Sequence, residues 1–170
     1  MDVFTAINKR RSVRSYKDRQ VEESKILKIL EAARLAPSAN NRQEWRFVVV
    51  RSKQKKKELA KAAKNQKFVG EAPVVIACCA DTDHHMMSCG QLCYPIDLAS
   101  AIEHMVLTAV EEGLGTCWIG AFYEDKVKEI LNIPEDIVVV ELLTLGYPDE
   151  DPALRERLSL SEIVKYETWE

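Results

Sequence analysis

The 170-residue sequence predicts a single domain in which helices and strands alternate. Three observations predict this: a long apolar helical stretch that begins near Tyr94, a glycine-bracketed strand directly after it, and three other apolar runs separated by segments of helical period. With hydrophobic residues at 46% the chain can bury a substantial core, and neither a repeat nor a linker divides it.

The apolar stretch predicts a helix over 96–110. Pro95 suits a first helical turn, Asp97 favours the positive N-terminal end, and Glu111-Glu112-Gly113 closes the run. Apolar residues recur at Leu98, Ile102, Met105 and Ala109, and again at Ala99, Val106 and Val110, giving a surface wider than the stripe of a surface helix. Such girth predicts burial against several neighbours or against a second subunit. Ala99, Ser100, Ala101 and Ala109 are small enough to admit another backbone. Gly113-Leu114-Gly115 then reads as a flexible turn. Thr116-Cys117-Trp118-Ile119 reads as a buried strand ending on Gly120, where a flat ligand can lie against backbone.

From the N-terminus, Asp2 caps a short helix whose Val3, Phe4 and Ile7 share a face. It runs into Arg10-Arg11-Ser12-Val13-Arg14-Ser15-Tyr16. Three arginines and two hydroxyls fit an anion clamp, because guanidinium forks match phosphate oxygens; a solvated basic turn accounts for the same residues. Residues 21–35 form an amphipathic helix with Ile26, Leu27, Ile29, Leu30 and Ala33 inward, stopped at Ala36-Pro37. The following loop, Ser38-Ala39-Asn40-Asn41-Arg42-Gln43-Glu44-Trp45, is rich in amides. They suit the mixed edge of a heteroaromatic ring, and equally the backbone of any irregular turn. Phe47-Val48-Val49-Val50 reads as a central strand covered on both faces. Residues 53–66 read as a lysine-rich helix with a thin apolar side at Leu59, Ala62 and Ala63 and a solvated charged face. A buried strand at 74–79, an aperiodic excursion at 81–93, a short helix at 124–131 and a strand at 137–145 complete the pattern. An acidic loop leads to Arg155 and Arg157, and the tail 159–170 is too short to fold alone.

Composition narrows the function. A net charge of −3 and a pI near 5.7 argue against nucleic acid as a general partner. The longest apolar run is too short for a bilayer, and the N-terminus lacks a signal-peptide pattern, so no membrane role is expected. Five cysteines, an odd number with Cys78 and Cys79 inside a strand, fit reduced thiols and a cytoplasmic chain.

Four ordered segments together carry a resemblance. Arg10-Arg11-Ser12-Val13-Arg14-Ser15-Tyr16 looks like R-R-S-x-R-x-[FY]. Ala36-Pro37-Ser38-Ala39-Asn40-Asn41-Arg42-Gln43-Glu44-Trp45 looks like A-P-S-x-x-N-x-Q-P-W. Gly113-Leu114-Gly115-Thr116-Cys117-Trp118-Ile119-Gly120 looks like G-L-G-x-x-W-I-G, and Leu145-Gly146-Tyr147-Pro148 looks like L-G-Y-P. Over nearly its whole length the chain resembles the FMN-dependent nitroreductase family.

The resemblance implies a single-domain α+β, three-layer fold: a mixed, mainly antiparallel central sheet flanked by helices. It implies a homodimer with two FMN sites at the interface, the central helix packed there and the C-terminal tail reaching over the partner. Carried over residue by residue, Arg10, Arg11 and Ser12 would hold the FMN phosphate with Arg155 and Arg157, and Arg14 would lie near the pyrimidine edge. Pro37, Ser38, Ala39 and Asn41 would come from the other subunit. Gly120 and Ala121 would line the reactive N5 edge, and Gln66 would reach the ring. The implied activity is NAD(P)H-dependent reduction of nitroaromatic, quinone or related acceptors by a ping-pong mechanism, with the flavin rather than a protein dyad doing the chemistry. Glu44 departs from the family's proline, which predicts a looser loop and a carboxylate beside the cofactor loop. The chain is short for the family, which predicts a more open pocket.

His84, His85, Cys89 and Cys93 can in principle bind zinc or iron, but their spacing matches no paired-ligand motif, and no metal is expected. His104 reads as a satisfied interface histidine. Two alternatives to the reductase stand: a non-catalytic flavin-binding or redox-sensing module using Cys89 and Cys93, and a specialised flavin-dependent branch such as dehalogenation or flavin breakdown.

Overall fold

A computed structural model describes residues 1–169. Four strands, β1 (Trp45–Val50), β2 (Val74–Ala80), β3 (Gly115–Ile119) and β4 (Val138–Gly146), form one sheet in the order β1-β2-β4-β3, every neighbouring pair antiparallel. The parallel component is an isolated bridge between Ser12 and Thr116. Among the described residues six α-helices pack around the sheet, α1 (Val3–Lys9), α2 (Glu23–Arg34), α3 (Lys53–Ala62), α4 (Lys67–Glu71), α5 (Cys93–Glu111) and α6 (Glu124–Leu131), and a seventh, α7 (Leu160–Ile163), lies in the exposed tail.

Alternation along the strands sorts the core into two layers. One face of the sheet sends Ile76, Leu143 and Leu145 against Ile29 of α2 and Leu98, Ile102 and Met105 of α5. The other sends Val75, Ala77 and Leu142 against Leu59 of α3, Val69 of α4 and Val127 of α6. The result is the expected three-layer α+β arrangement. Strand β2 is buried along its whole length because it lies inside the sheet under helices on both sides. No described helix is long and apolar enough to cross a membrane.

Several expectations need correction. The apolar run at 47–50 lies in β1, which is an edge strand. Helical cover on both faces makes an edge strand as apolar as an inner one, so composition cannot give its rank in the sheet. The lysine-rich helix stops at Ala62, because Lys64 and Asn65 take positive φ and restart the chain as α4. Leu27 faces outward, 56% exposed. On α5, Ala101 and Ala109 point into the protomer's own core, fully buried, so they admit no second subunit. Helix α5 begins at Cys93, which places Pro95 in the first turn, where its missing N–H costs nothing. Residues 153–169 of the tail are exposed throughout, and Glu170 lies outside the described residues.

Candidate functional site

The segment 10–16 is held against the end of the sheet by its backbone. The Val13 N–H donates to the Thr116 carbonyl at 2.9 Å. The Ser15 N–H donates to Glu150 Oε1 at 3.0 Å, and the Arg14 N–H reaches the same oxygen. The Tyr16 hydroxyl donates to the Val13 carbonyl at 2.7 Å and meets Thr144 at the same distance. Burial pushes the Tyr16 phenol above its ordinary range, so it stays a neutral donor.

With the backbone satisfied by these bonds, the side chains are free to act outward. The Arg10 and Arg14 guanidinium groups and the Ser12 hydroxyl make no hydrogen bond or ion pair to any described residue. Arg14 lies over the Phe68 ring, 6.0 Å from its centroid, and Arg11 turns back on the carbonyls of Asn8 and Arg10 at 2.7 Å. On the far side of α4, Gln66 donates to the Ala121 carbonyl at 3.3 Å. Gly120 and Ala121 are exposed just past β3. A Cβ at Gly120 would lie 3.5 Å from the Glu141 carboxylate, whose own pKa burial pushes upward. Two links thus tie these parts to one another: Ser12 bridges Thr116 in the strand that ends before Gly120, and α4 carries Phe68 under Arg14 and has Gln66, the partner of Ala121, at its N-cap.

The other expected residues stand apart. Ala39 is tied to α5, its N–H donating to both Asp97 oxygens at 3.1 and 3.0 Å, and the Gln43 N–H donates to Ser38 Oγ at 3.1 Å. Among the described residues no hydrogen bond or ion pair joins Pro37, Ser38, Ala39 or Asn41 to the arginine segment. Arg155 and Arg157 lie on the exposed tail, where Arg157 bonds the carbonyls of Arg155 and Glu156. Sequence reasoning passed over Glu150 and Phe68, and read Asp97 only as a helix N-terminal acid, not as the anchor of the Ala39 N–H. Only the acidic run at 149–151 gave a signal, and it read as a plain loop.

A model of the nitroreductase family matches residues 7–92 and 62–147. The chain belongs to that family. A nitroreductase family protein of Clostridium difficile 630 superposes with a TM-score of 0.89 at 35% identity, covering 99% of both chains. An FMN-dependent nitroreductase of Clostridium difficile R20291 superposes with a TM-score of 0.86 at 30% identity, covering 98% of this chain and 99% of its own. The NADH dehydrogenase of Thermus thermophilus is 33% identical over 195 residues, 96% of this chain and 95% of its own.

Where this nitroreductase-family chain carries Glu44, the side chain turns inward. It is buried, accepts from Arg42 at 3.2 Å and from the Cys93 thiol at 3.3 Å, and so braces the loop that its presence was expected to loosen. His84, His85, Cys89 and Cys93 are not gathered. His84 packs edge-on to Tyr94, Cys89 is exposed, and Cys93 is buried at the start of α5. Burial and the Glu44 carboxylate hold the Cys93 thiol protonated, which disfavours a redox pair with Cys89. Among the described residues, Glu44, Cys93 and Asp97 are the group whose donor atoms lie close enough to share an ion, within 4.8 Å of one another. His104 is satisfied inside the protomer, by the Ala32 carbonyl at 3.1 Å.

Proposed function

We propose that this nitroreductase-family chain is an FMN-dependent NAD(P)H oxidoreductase, working as a homodimer on nitroaromatic, quinone or related acceptors, with donor and acceptor using one slot in turn. The observation that carries the reading is the set of unpartnered fork donors, Arg10 and Arg14, fixed by their backbone beside a strand that ends on an open glycine. The donor set fits a phosphate at one end and a flat ring at the other.

FMN, when bound, supplies hydride acceptance from a nicotinamide and hydride delivery to the acceptor. Arg10, Arg11 and Ser12 hold its phosphate, completed by Arg155 and Arg157. Arg14 places positive charge near the pyrimidine edge, where reduction adds negative charge. Gly120 and Ala121 leave room for a stacked substrate, and Gln66 keeps that strand end in position. Pro37, Ser38, Ala39 and Asn41 cover the ring from the other subunit. The dimer reading rests on this incompleteness, and on Val3, Phe4, Ile7 and Ile96, apolar side chains left 49% exposed or more.

The test is a visible absorption spectrum of the purified protein, followed by NAD(P)H oxidation with a nitroaromatic and with a quinone. A flavin spectrum with steady turnover is expected. Protein that retains no flavin, or flavin-loaded protein that leaves NADH and NADPH unoxidised, overturns the reading.

A further inference from the structure

We infer that a basic groove beside the cofactor site binds the phosphate-bearing tail of the nicotinamide donor, and that its charge favours NADPH over NADH. This deepens the oxidoreductase reading and rests on it.

The groove measures about 1020 Å³ and runs between residues 15–21, α3 and α4. That is at the upper end of the volumes that hold small-molecule ligands. Its exposed cations are Arg19, Arg51, Lys53, Lys57, Lys61 and Lys67, with Lys56 buried in its wall, against the acids Asp18 and Glu71. The chain as a whole carries −3, so positive charge is concentrated here against the overall sign. Arg19 and Arg51 are paired to Glu22 and Glu23. Lys53, Lys57, Lys61 and Lys67 make no hydrogen bond or ion pair to any described residue.

Lys53, Lys57 and Lys61 follow one another at intervals of four along α3, which stacks three like charges on one helix face. Such a row repels itself unless an anion lies over it. Beneath it Lys56 is buried, donating to the Pro73 carbonyl at 3.0 Å, and burial together with the Lys53 charge pulls its pKa down. A bound anion would offset the repulsion between these charges.

Position connects the groove to the reaction. Gln66, which holds the Ala121 carbonyl, is followed directly by Lys67 in the groove. Arg14, which faces the cofactor site, is followed by Ser15 and Tyr16 in the groove. A donor stacked at Gly120 and Ala121 thus has a cationic channel one helix away for its diphosphate. NADPH carries a further phosphate, and that phosphate adds to the attraction.

The experiment uses FMN-loaded protein and the double variant Lys57→Glu/Lys61→Glu, both exposed positions. Calorimetric titration with NADP+ reads binding without turnover, and steady-state rates then compare NADPH with NADH. The variant is expected to bind NADP+ at least tenfold more weakly and to show a raised KM for NADPH, a smaller change for NADH, and unaltered kcat and FMN content. Unchanged NADP+ affinity, or equal KM changes for both donors, overturns the inference. Competition by tripolyphosphate with no binding of NADP+ would assign the groove to free polyphosphate and also overturn it. Wild-type protein that binds NADP+ through these lysines yet oxidises no NADPH would instead defeat the oxidoreductase reading and leave the groove assignment supported.

Discussion

Arg10 and Gly120 show how single residues serve the site by what they lack. Among the described residues Arg10 makes no hydrogen bond or ion pair, so its fork is available to an anion at no cost in broken hydrogen bonds. Arg10→Ala should lower FMN retention by about tenfold or more, the loss of one charge-assisted pair, whereas Lys126→Ala, on the exposed face of α6, should leave it unchanged. Dialysis followed by flavin absorbance checks this, and equal retention would remove Arg10 from the phosphate site. Gly120 lacks a side chain where a Cβ would stand 3.5 Å from the Glu141 carboxylate, so the backbone tolerates substitution but the open space does not. Gly120→Val should cut turnover by about tenfold or more through displaced stacking, while FMN stays bound. A fully active Gly120→Val enzyme would show that substrates do not stack there.

At the scale of elements, the glycines on either side of Leu114 do different work. Gly113 takes a φ of +73° to end α5, as a helix C-terminus favours. Gly115 sits in β3, and a Cβ there would lie 2.6 Å from Val13 Cγ2. What read as a flexible turn is, at its second glycine, the gap through which the arginine segment reaches the sheet. Gly115→Ala should cost about 1–3 kcal/mol by overpacking and push Val13 outward, so FMN retention should fall along with the denaturation midpoint. A stable variant with full flavin content would contradict the role given to that contact. Helix α5 carries a second lesson. Ala101 is buried in the protomer, so a charge there tests folding, while Ile96, 49% exposed, tests association. Ile96→Glu should leave the circular dichroism spectrum intact and shift sedimentation toward monomer, with loss of flavin because the site is shared. A flavin-loaded monomer at micromolar concentration would defeat the shared site.

Across the whole molecule, the residues of the proposed site fall in three pieces of one protomer: the arginine segment with Gly120, the loop pinned to Asp97, and the arginines of the tail. The tail exposes Leu154, Leu158, Leu160, Ile163, Tyr166 and Trp169, each above 60%, which is the chemistry of a strap rather than of a solvated end. On the proposed reading, in which donor and acceptor use one slot in turn, initial-rate plots against both substrates should give parallel lines. Intersecting lines would show two substrates bound at once.

The sequence by itself determined the four strands, the principal helices, the family and the arginine-serine segment, because these rest on local periodicity and on ordered short motifs. Tertiary structure alone decided that β1 lies at the edge of the sheet, since helical cover makes inner and outer strands equally apolar. It also decided that Glu44 turns inward to Arg42 and Cys93, a choice set by partners 2 and 49 positions away. The lysines of α3 are the plainest case. Their order in the chain describes only a charged helix face, and the fold turned that face into one wall of a groove by closing residues 15–21 and α4 around it. Charge is written in sequence, but the field it makes depends on which charges the fold brings side by side.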